Sequence, residues 1–403
     1  MPKLLMVTTV PGTLRAFLLP FAEHFSASGW RVDAMAHGVT SSPECVQTFD
    51  RVWEVPWSRD PRDLRNVLQA PRTIRAIVER ERYDLVHVHT PVAAFATRYA
   101  LSRSPLRDRT AVIYTAHGFH FYRGGATSRN LLFRSLEKLA GRWTDYLVVI
   151  NEEDEAAARR HGIVAPDRLV HMPGIGVDTE RYSPAQVSEE EVAGVRASLG
   201  LAPGLPLFLV VAEMIPRKRH QDVLHAFARL SQSDAHLAFA GEGPRMASLR
   251  RLATELGVAG RVHFLGRRSD VPTLARAANA VLLVSRQEGL PRSVMEALSL
   301  EVPVIGSDIR GIRDLLDDGS GLLVPVGDVD RLAASMRWVL EHPVAATAMA
   351  LRGRQKVCAG FGQAAIIDAH EALYARALRA ARRERADRPP RPHIAGVPAE
   401  GGD

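Results

Sequence analysis

Apolar residues in this chain fall into short unbroken blocks separated by amphipathic stretches, and the alternation runs almost from end to end. Leu4–Thr9, Arg31–Ala36, Asp84–His89, Thr110–Ala116 and Asp145–Ile150 are β-rich and nearly continuous in apolar character, the pattern of parallel strands buried on both faces. Between them, Leu14–Ser28, Arg72–Glu81, Pro91–Leu101 and Thr127–Gly141 carry apolar residues at helical spacing, with Gly29 and Gly141 as stop signals. The alternation breaks over 173–206, where Pro173, Gly174, Gly176, Pro184, Pro203, Gly204 and Pro206 cluster around one short acidic helix, Ser188 to Leu199. A second series follows. Strands are expected at Leu207–Ala212, His236–Ala240, Arg261–Phe264, Ala280–Val284, Pro303–Gly306 and Leu322–Val324, with helices at 219–231, 244–257, 291–300 and 329–341.

Two β/α series predict an α/β protein of two doubly wound, Rossmann-like parallel-sheet domains facing across a cleft. The expected division is 1–185 for the first domain and 186–361 for the second. A helix over 362–386 would cross back to the first domain, and a disordered tail rich in Pro and Gly would occupy 387–403. In such sheets the ligand sits beyond the carboxyl ends of the strands, so chemistry is sought in the loops that follow them.

Composition narrows the class. The 403 residues are 46% apolar and 24% charged, which suits a globular chain and excludes bulk disorder. No apolar run approaches the ~18 to 20 residues of a spanning helix, and the first residues read as a strand rather than a signal peptide. Two distant cysteines, Cys45 and Cys358, make neither a disulfide framework nor a zinc cluster and suit a cytoplasmic protein. The net charge of +7 is unevenly spread: residues 59–142 hold sixteen Lys/Arg against seven acids. That surface suits an anionic partner or simply a solvated face. It lacks interleaved aromatics, so nucleic acid is not expected.

The second half carries the sharper chemistry. Glu288 lies in the loop after an expected strand, Gly289 lets the chain turn, and Pro291 suits the first helical position. Glu296, eight residues beyond Glu288 and about two turns into the helix, is spaced so that the two carboxylates bracket a polyhydroxylated ligand. Arg217, Lys218 and Arg219 stand together just after another strand, where cations and a helix N-terminus would steady charge growing on a leaving diphosphate. In the first half His117 ends an apolar strand, with His87, His89 and His120 near it in sequence. His-x-His on a strand puts both rings on one face, yet no Cys or carboxylate pair completes a metal set, so no metal is expected. Phe119, Phe121 and Tyr122 would stack on a sugar, touch a lipid or close a core.

In order along the chain stand Ala240-Gly-Glu-Gly-Pro, Val262-His-Phe-Leu-Gly-Arg, Glu288-Gly-Leu-Pro, Glu296-Ala, Pro303-Val-Ile-Gly-Ser-Asp, Asp318-Gly-Ser-Gly-Leu-Leu-Val-Pro and Gly327-Asp. This run resembles the nucleotide-sugar domain of glycosyltransferase family 4, the retaining family of GT-B fold. Arg15-Ala-Phe-Leu-Leu-Pro-Phe, His87-Val-His-Thr-Pro and Thr115-Ala-His-Gly-Phe-His-Phe-Tyr are similar to its exopolysaccharide and capsule branch. The resemblance implies a metal-independent transferase that needs no cofactor. It would move a sugar from a nucleotide-diphosphate donor, by default linked to UDP, to a lipid-linked or saccharide acceptor at the inner membrane face. Glu288 would contact the donor sugar, Gly289 and Leu290 its neighbourhood, Glu296 the ribose, Lys218 the diphosphate, and the backbone near Arg267 the base. His117 would face the sugar across the cleft. Gly12, in the loop after the first strand, would bring backbone close to donor or acceptor.

One departure stands out. Where the family usually has Gly-Arg-Leu, this chain has Ala212-Glu213-Met214, which leaves Arg217 or Arg219 to replace the missing cation. Helix Thr127 to Arg142, with Leu131, Leu132, Leu136 and Leu139 beside Arg129, Arg134, Lys138 and Arg142, suits a membrane interface or a core-facing helix with a wet side. A nucleotide-sugar epimerase and a non-catalytic nucleotide-sugar scaffold are the alternative readings.

Overall fold

The computed structural model describes residues 1–58, 60, 63–230 and 234–386; the tail expected to be disordered from 387 lies outside the described residues. In the first lobe β1 (Lys3–Val7), β2 (Arg31–Ala36), β3 (Arg51–Glu54), β4 (Leu85–Val88), β5 (Ala111–Ala116), β6 (Tyr146–Val149) and β7 (Leu169–His171) form one parallel sheet in the order β3-β2-β1-β4-β5-β6-β7. In the second lobe β8 (Leu207–Val211), β9 (His236–Ala240), β10 (Val262–Gly266), β11 (Ala280–Leu283), β12 (Val304–Ser307) and β13 (Leu322–Val324) run parallel in the order β10-β9-β8-β11-β12-β13. Each sheet is covered by helices on both faces and holds a separate core on each face. The order reverses between β1 and β4 and again between β8 and β11. Ligands of such sheets lie at those points, and the segments after β1, β4, β5, β8, β10 and β11 hold the candidate residues.

Four local features differ from the sequence reading, each for a physical reason. The helix expected over Leu14–Ser28 is two helices, Pro11–Phe17 and Leu19–Ala27, because Pro20 has no N–H to give the carbonyl of Ala16. Gly12 therefore lies in the first turn of a helix rather than in a loop. Pro291 caps the helix Arg292–Ser299 instead of opening it, which makes Glu296 the fifth residue of that helix, about one and a half turns in. Gly141 ends no helix by turning left-handed. It closes the helix Thr127–Gly141 from within, where a Cβ would meet the Ile163 carbonyl oxygen at 1.9 Å.

The chain crosses between lobes twice, side by side. The Val177 N–H donates to the Phe361 carbonyl (2.8 Å), and the Gln363 N–H donates to the Val177 carbonyl (2.9 Å). Val177 and Tyr182 pack into the core of the second lobe. The helix Gln363–Ala386 packs on the first lobe, adding Ile366, Ile367, Leu373, Tyr374 and Ala377 to its core beside Phe21 and Phe25.

Candidate active site

On the second lobe, the loops after β8 and β11 are zipped together. The Arg286 N–H donates to the Arg217 carbonyl (2.9 Å), and the Arg217 guanidinium donates to the Gln287 carbonyl (2.7 Å). Within that frame Lys218 Nζ donates to Glu288 Oε1 at 2.7 Å, and Arg217 lies 3.5 Å from Glu288 Oε2. Glu288 is only 7% exposed, so its charge is held by these bases rather than by water. Arg219 points elsewhere. Its backbone is left-handed (φ 49°), and its guanidinium pairs with Asp222 at the start of the helix His220–Ala228.

Glu213 is exposed and lines a cavity of about 650 Å³ together with Glu242, Gly241, Gly243, Arg267 and Arg268. Arg268 is paired with Asp270 at 2.8 Å. Glu213 therefore shares its cavity with one further carboxylate, Glu242, and with Arg267.

Glu296 is held by Arg292, one turn earlier on the same helix, at 3.0 Å. The Tyr182 hydroxyl faces it; burial first, and the Glu296 charge second, push that phenol up to about 12. Arg292 also reaches across the cleft. It donates to the Ala16 carbonyl, the acceptor that Pro20 leaves free, and its guanidinium lies 5.8 Å from the Phe17 ring centre. Phe17 in turn stacks against His117 (6.3 Å between centroids, 23° between planes). The break in the first helix thus supplies the contact by which the Glu296 helix meets the opposite lobe.

On that lobe, His117 Nε2 hydrogen-bonds with His89 Nδ1 at 3.2 Å. His89 lies 4.0 Å, ring to ring, from His87, which is pinned between Thr115 Oγ1 (2.7 Å) and the Tyr374 hydroxyl (2.6 Å) on the returning helix. Burial pushes His117 down to about 4, so its ring is neutral at physiological pH. His87 and His89 are shifted down as well, burial again leading. Among the described residues, no group of three or more His, Cys, Asp or Glu is disposed to hold a metal ion.

The lobes touch closely where His117 meets the Glu288 loop. A Cβ added to Gly289 would lie 2.2 Å from the His117 carbonyl oxygen. Gly118 (φ 106°) approaches the Gly289 Cα, and Gly311 (φ 73°) approaches the Gly289 carbonyl. Leu290 packs against Gly174 beside the inter-lobe connection. Gly12 faces open space. Phe119 and Phe121 stack on one another at 4.7 Å and are buried, so they close a core rather than face a ligand.

Three residues of this region, Arg292, Arg310 and Asp154, were given no role from the sequence, and Phe17 entered only as part of a motif. Arg310, in the loop after β12, pairs with Asp154 of the first lobe and is almost fully buried.

Residues 16–181 match the family model described as Glycosyltransferase Family 4, and residues 194–356 match Glycosyl transferases group 1. The chain is 34% identical over 376 residues, 92% of its own length and 96% of the relative's, to EpsD of Bacillus subtilis, a glycosyltransferase by name. It is 26% identical over 319 residues to the Escherichia coli UDP-Gal:alpha-D-GlcNAc-diphosphoundecaprenol alpha-1,3-galactosyltransferase, with 78% and 79% of the two chains covered. Among solved structures, Anabaena HepE in complex with UDP superposes with a TM-score of 0.77 at 20% identity, covering 93% of this chain and all of that one.

Proposed function

Because the chain belongs to glycosyltransferase family 4 and has the GT-B fold, we propose that it is a retaining, metal-independent transferase. Its donor is a UDP-linked sugar, and its acceptor is a lipid-linked or growing saccharide of a cell-surface polysaccharide. Relatives named for sugar transfer, one of them to a diphosphoundecaprenol-linked sugar, support this reading. The observation that carries it is the Lys218–Glu288 pair, set at the switch point of one lobe in the loop whose Gly289 meets the His117 backbone of the other.

In this reaction the bond between the anomeric carbon and the diphosphate breaks, and the acceptor oxygen bonds to the same face of that carbon. The acceptor proton passes to the departing phosphate oxygen, so no protein carboxylate need become covalently attached. Lys218 and Arg217 steady the charge that grows on the diphosphate. Glu288 accepts from sugar hydroxyls, Glu296 accepts from the ribose, and the base lies by Arg267. Neutral His117 donates one hydrogen bond to the sugar from across the cleft.

The acceptor side suits a membrane-bound substrate. Leu131, Leu132 and Leu139 are exposed on the helix Thr127–Gly141 beside Arg129, Arg134 and Lys138, the make-up of a helix that lies on an anionic bilayer. No helix among the described residues is long and apolar enough to cross a membrane.

The test is calorimetric titration with UDP, GDP and ADP, followed by transfer assays with the matching sugars. Glu288→Gln is expected to lower kcat at least 100-fold. A near-wild-type rate in that variant would refute the role of Glu288. Full conversion of donor to a stereoisomer without acceptor would instead identify an epimerase. Nucleotide binding without turnover on any acceptor would identify a scaffold.

A further inference from the structure

Arg310 is the one residue among those described whose guanidinium joins the backbone of Glu288 to the loop that carries His117. Its Nε donates to the Glu288 carbonyl (3.3 Å), within its own lobe. Its Nη2 donates to the Phe119 carbonyl, and its Nη1 to the Phe121 carbonyl (3.4 Å) and to Asp154 Oδ1, all in the first lobe. The cation also sits 5.5 Å from the Tyr122 ring centre. The side chain is 3% exposed and that of Asp154 1%.

Asp154 is built into the same corner. It accepts from the Phe119 N–H (3.0 Å) and from the Asn151 amide (2.9 Å), while Asn151 caps the helix Glu152–His161. Burial raises the Asp154 carboxyl, and Arg310 is the leading influence in the opposite direction. A second cross-lobe contact lies beside it, where the Glu152 N–H donates to Asp314 (3.2 Å).

This geometry has two consequences. Moving the lobes apart would strip Arg310 and Asp154 of each other and leave two buried charges unpaired, which is strongly unfavourable. It would also part the Phe119 and Phe121 carbonyls from the cation that holds the Glu288 carbonyl. The planar fork of arginine can meet a carboxylate and three carbonyls together; a lysine ammonium cannot.

We propose that Arg310 is a positioning residue: with Asp154 it docks the two lobes in the register that sets Glu288 opposite His117. The proposal rests on the transfer reaction above. It assigns Arg310 no contact with donor or acceptor, since its guanidinium is already committed to Asp154 and to the Glu288, Phe119 and Phe121 carbonyls.

Three variants test it: Arg310→Met, Arg310→Lys and Asp154→Asn. UDP affinity, kcat and small-angle scattering with saturating UDP are measured for each. Arg310→Met is expected to keep UDP affinity within threefold, to lower kcat at least 30-fold and to enlarge the radius of gyration. Arg310→Lys, which keeps a cation against Asp154, guards against a failure of the Met variant to fold, and it is expected to lower kcat at least tenfold. Asp154→Asn is expected to fall between the two. A folded Arg310→Met or Arg310→Lys protein with kcat within threefold of wild type would overturn the proposal. So would UDP affinity falling in step with kcat, or an unchanged radius of gyration. If the wild type transfers no sugar at all, the functional reading fails, and the scattering comparison still decides the docking role.

Discussion

Gly289→Ala is the most direct probe of how tightly the two lobes must close. The new methyl would sit 2.2 Å from the His117 carbonyl oxygen and 2.8 Å from its carbonyl carbon, whereas ordinary contact begins at 3.4 Å. Both neighbours are backbone, so no side chain can swing away. Gly311, pressed on the Gly289 carbonyl from behind, prevents retreat in that direction. The inter-lobe gap must then widen by roughly 1 Å. Overpacking of this kind costs about 1–3 kcal/mol, and a misplacement of about 1 Å at a reacting centre costs on the order of 100-fold in rate. The pair Lys218–Glu288 lies wholly on one lobe and keeps its geometry. UDP affinity is therefore expected to hold within about threefold while kcat falls roughly 100-fold, measured by calorimetry and by steady-state transfer with the same preparation. Gly194→Ala is the control: it lies inside the helix Glu189–Ser198 with open space at its Cβ, and is expected to raise stability by ~0.5–1 kcal/mol without changing the rate. A Gly289→Ala enzyme that turns over within threefold of wild type would refute the argument that these lobes work only in contact.

Gly12→Ala meets nothing within 4 Å, so its melting temperature is expected to stay within 2 °C or rise, by the helix propensity of alanine, while KM for donor or acceptor rises; unchanged KM values would remove Gly12 from the site. Tyr374→Phe leaves His87 Nδ1 buried without its 2.6 Å partner and is expected to cost about 1–3 kcal/mol in denaturant titration; no loss would mean that this hydrogen bond does not help to hold the helix Gln363–Ala386 on the first lobe. Stability should also fall with acid. Burial holds His117, His220 and His370 at about 4 when folded, against about 6.5 when unfolded. Between these values the unfolded chain takes up protons that the folded one refuses. Stability is thus lost as pH drops from about 6.5 toward 4, by roughly 1.4 kcal/mol per pH unit for each histidine. A melting temperature that stays level from pH 7 to pH 5 would contradict this.

The central strands were legible because both faces are buried: Leu4, Leu5, Met6 and Val7 need no alternation and show none. The edge strands β3 and β7 were missed. Arg51-Val-Trp-Glu is four residues with a charge at each end, and Leu169–His171 is three, since an edge has one neighbour to pair with and little to bury. The helix Pro343–Gly360 was missed because its alanines and arginines mark no apolar stripe. The helix Glu152–His161 is almost wholly polar too, yet it had a readable signal in Asn151 followed by four acids and closed by Arg159, Arg160 and His161. At the site, Lys218 and Glu288 could be read from a local motif. Arg310 and Asp154 could not: they lie 156 positions apart, and an arginine between Ile309 and Gly311 looks like any exposed turn residue until the opposite lobe arrives to cover it.

The three adjacent bases after β8 turn out to be unequal. Arg219 is committed to Asp222 and to starting a helix. Lys218 and Arg217 instead converge on one buried carboxylate, so the buried charge of Glu288 does not stand alone. In the proposed reaction a donor offers each partner a better match. The diphosphate brings negative charge to the bases, and the sugar brings hydroxyl donors to Glu288. Of the two candidates for the cation lost at position 213, Arg219 is committed to Asp222, whereas Arg217 stands beside Lys218 on Glu288, so the proposed reaction draws on Arg217. Glu213 is exposed and lines the neighbouring cavity with Arg267. On the proposed reading, sugar and phosphate recognition meet at Glu288 and its two bases, so a nucleotide lacking its sugar draws Lys218 away only by weakening the compensation of a buried carboxylate.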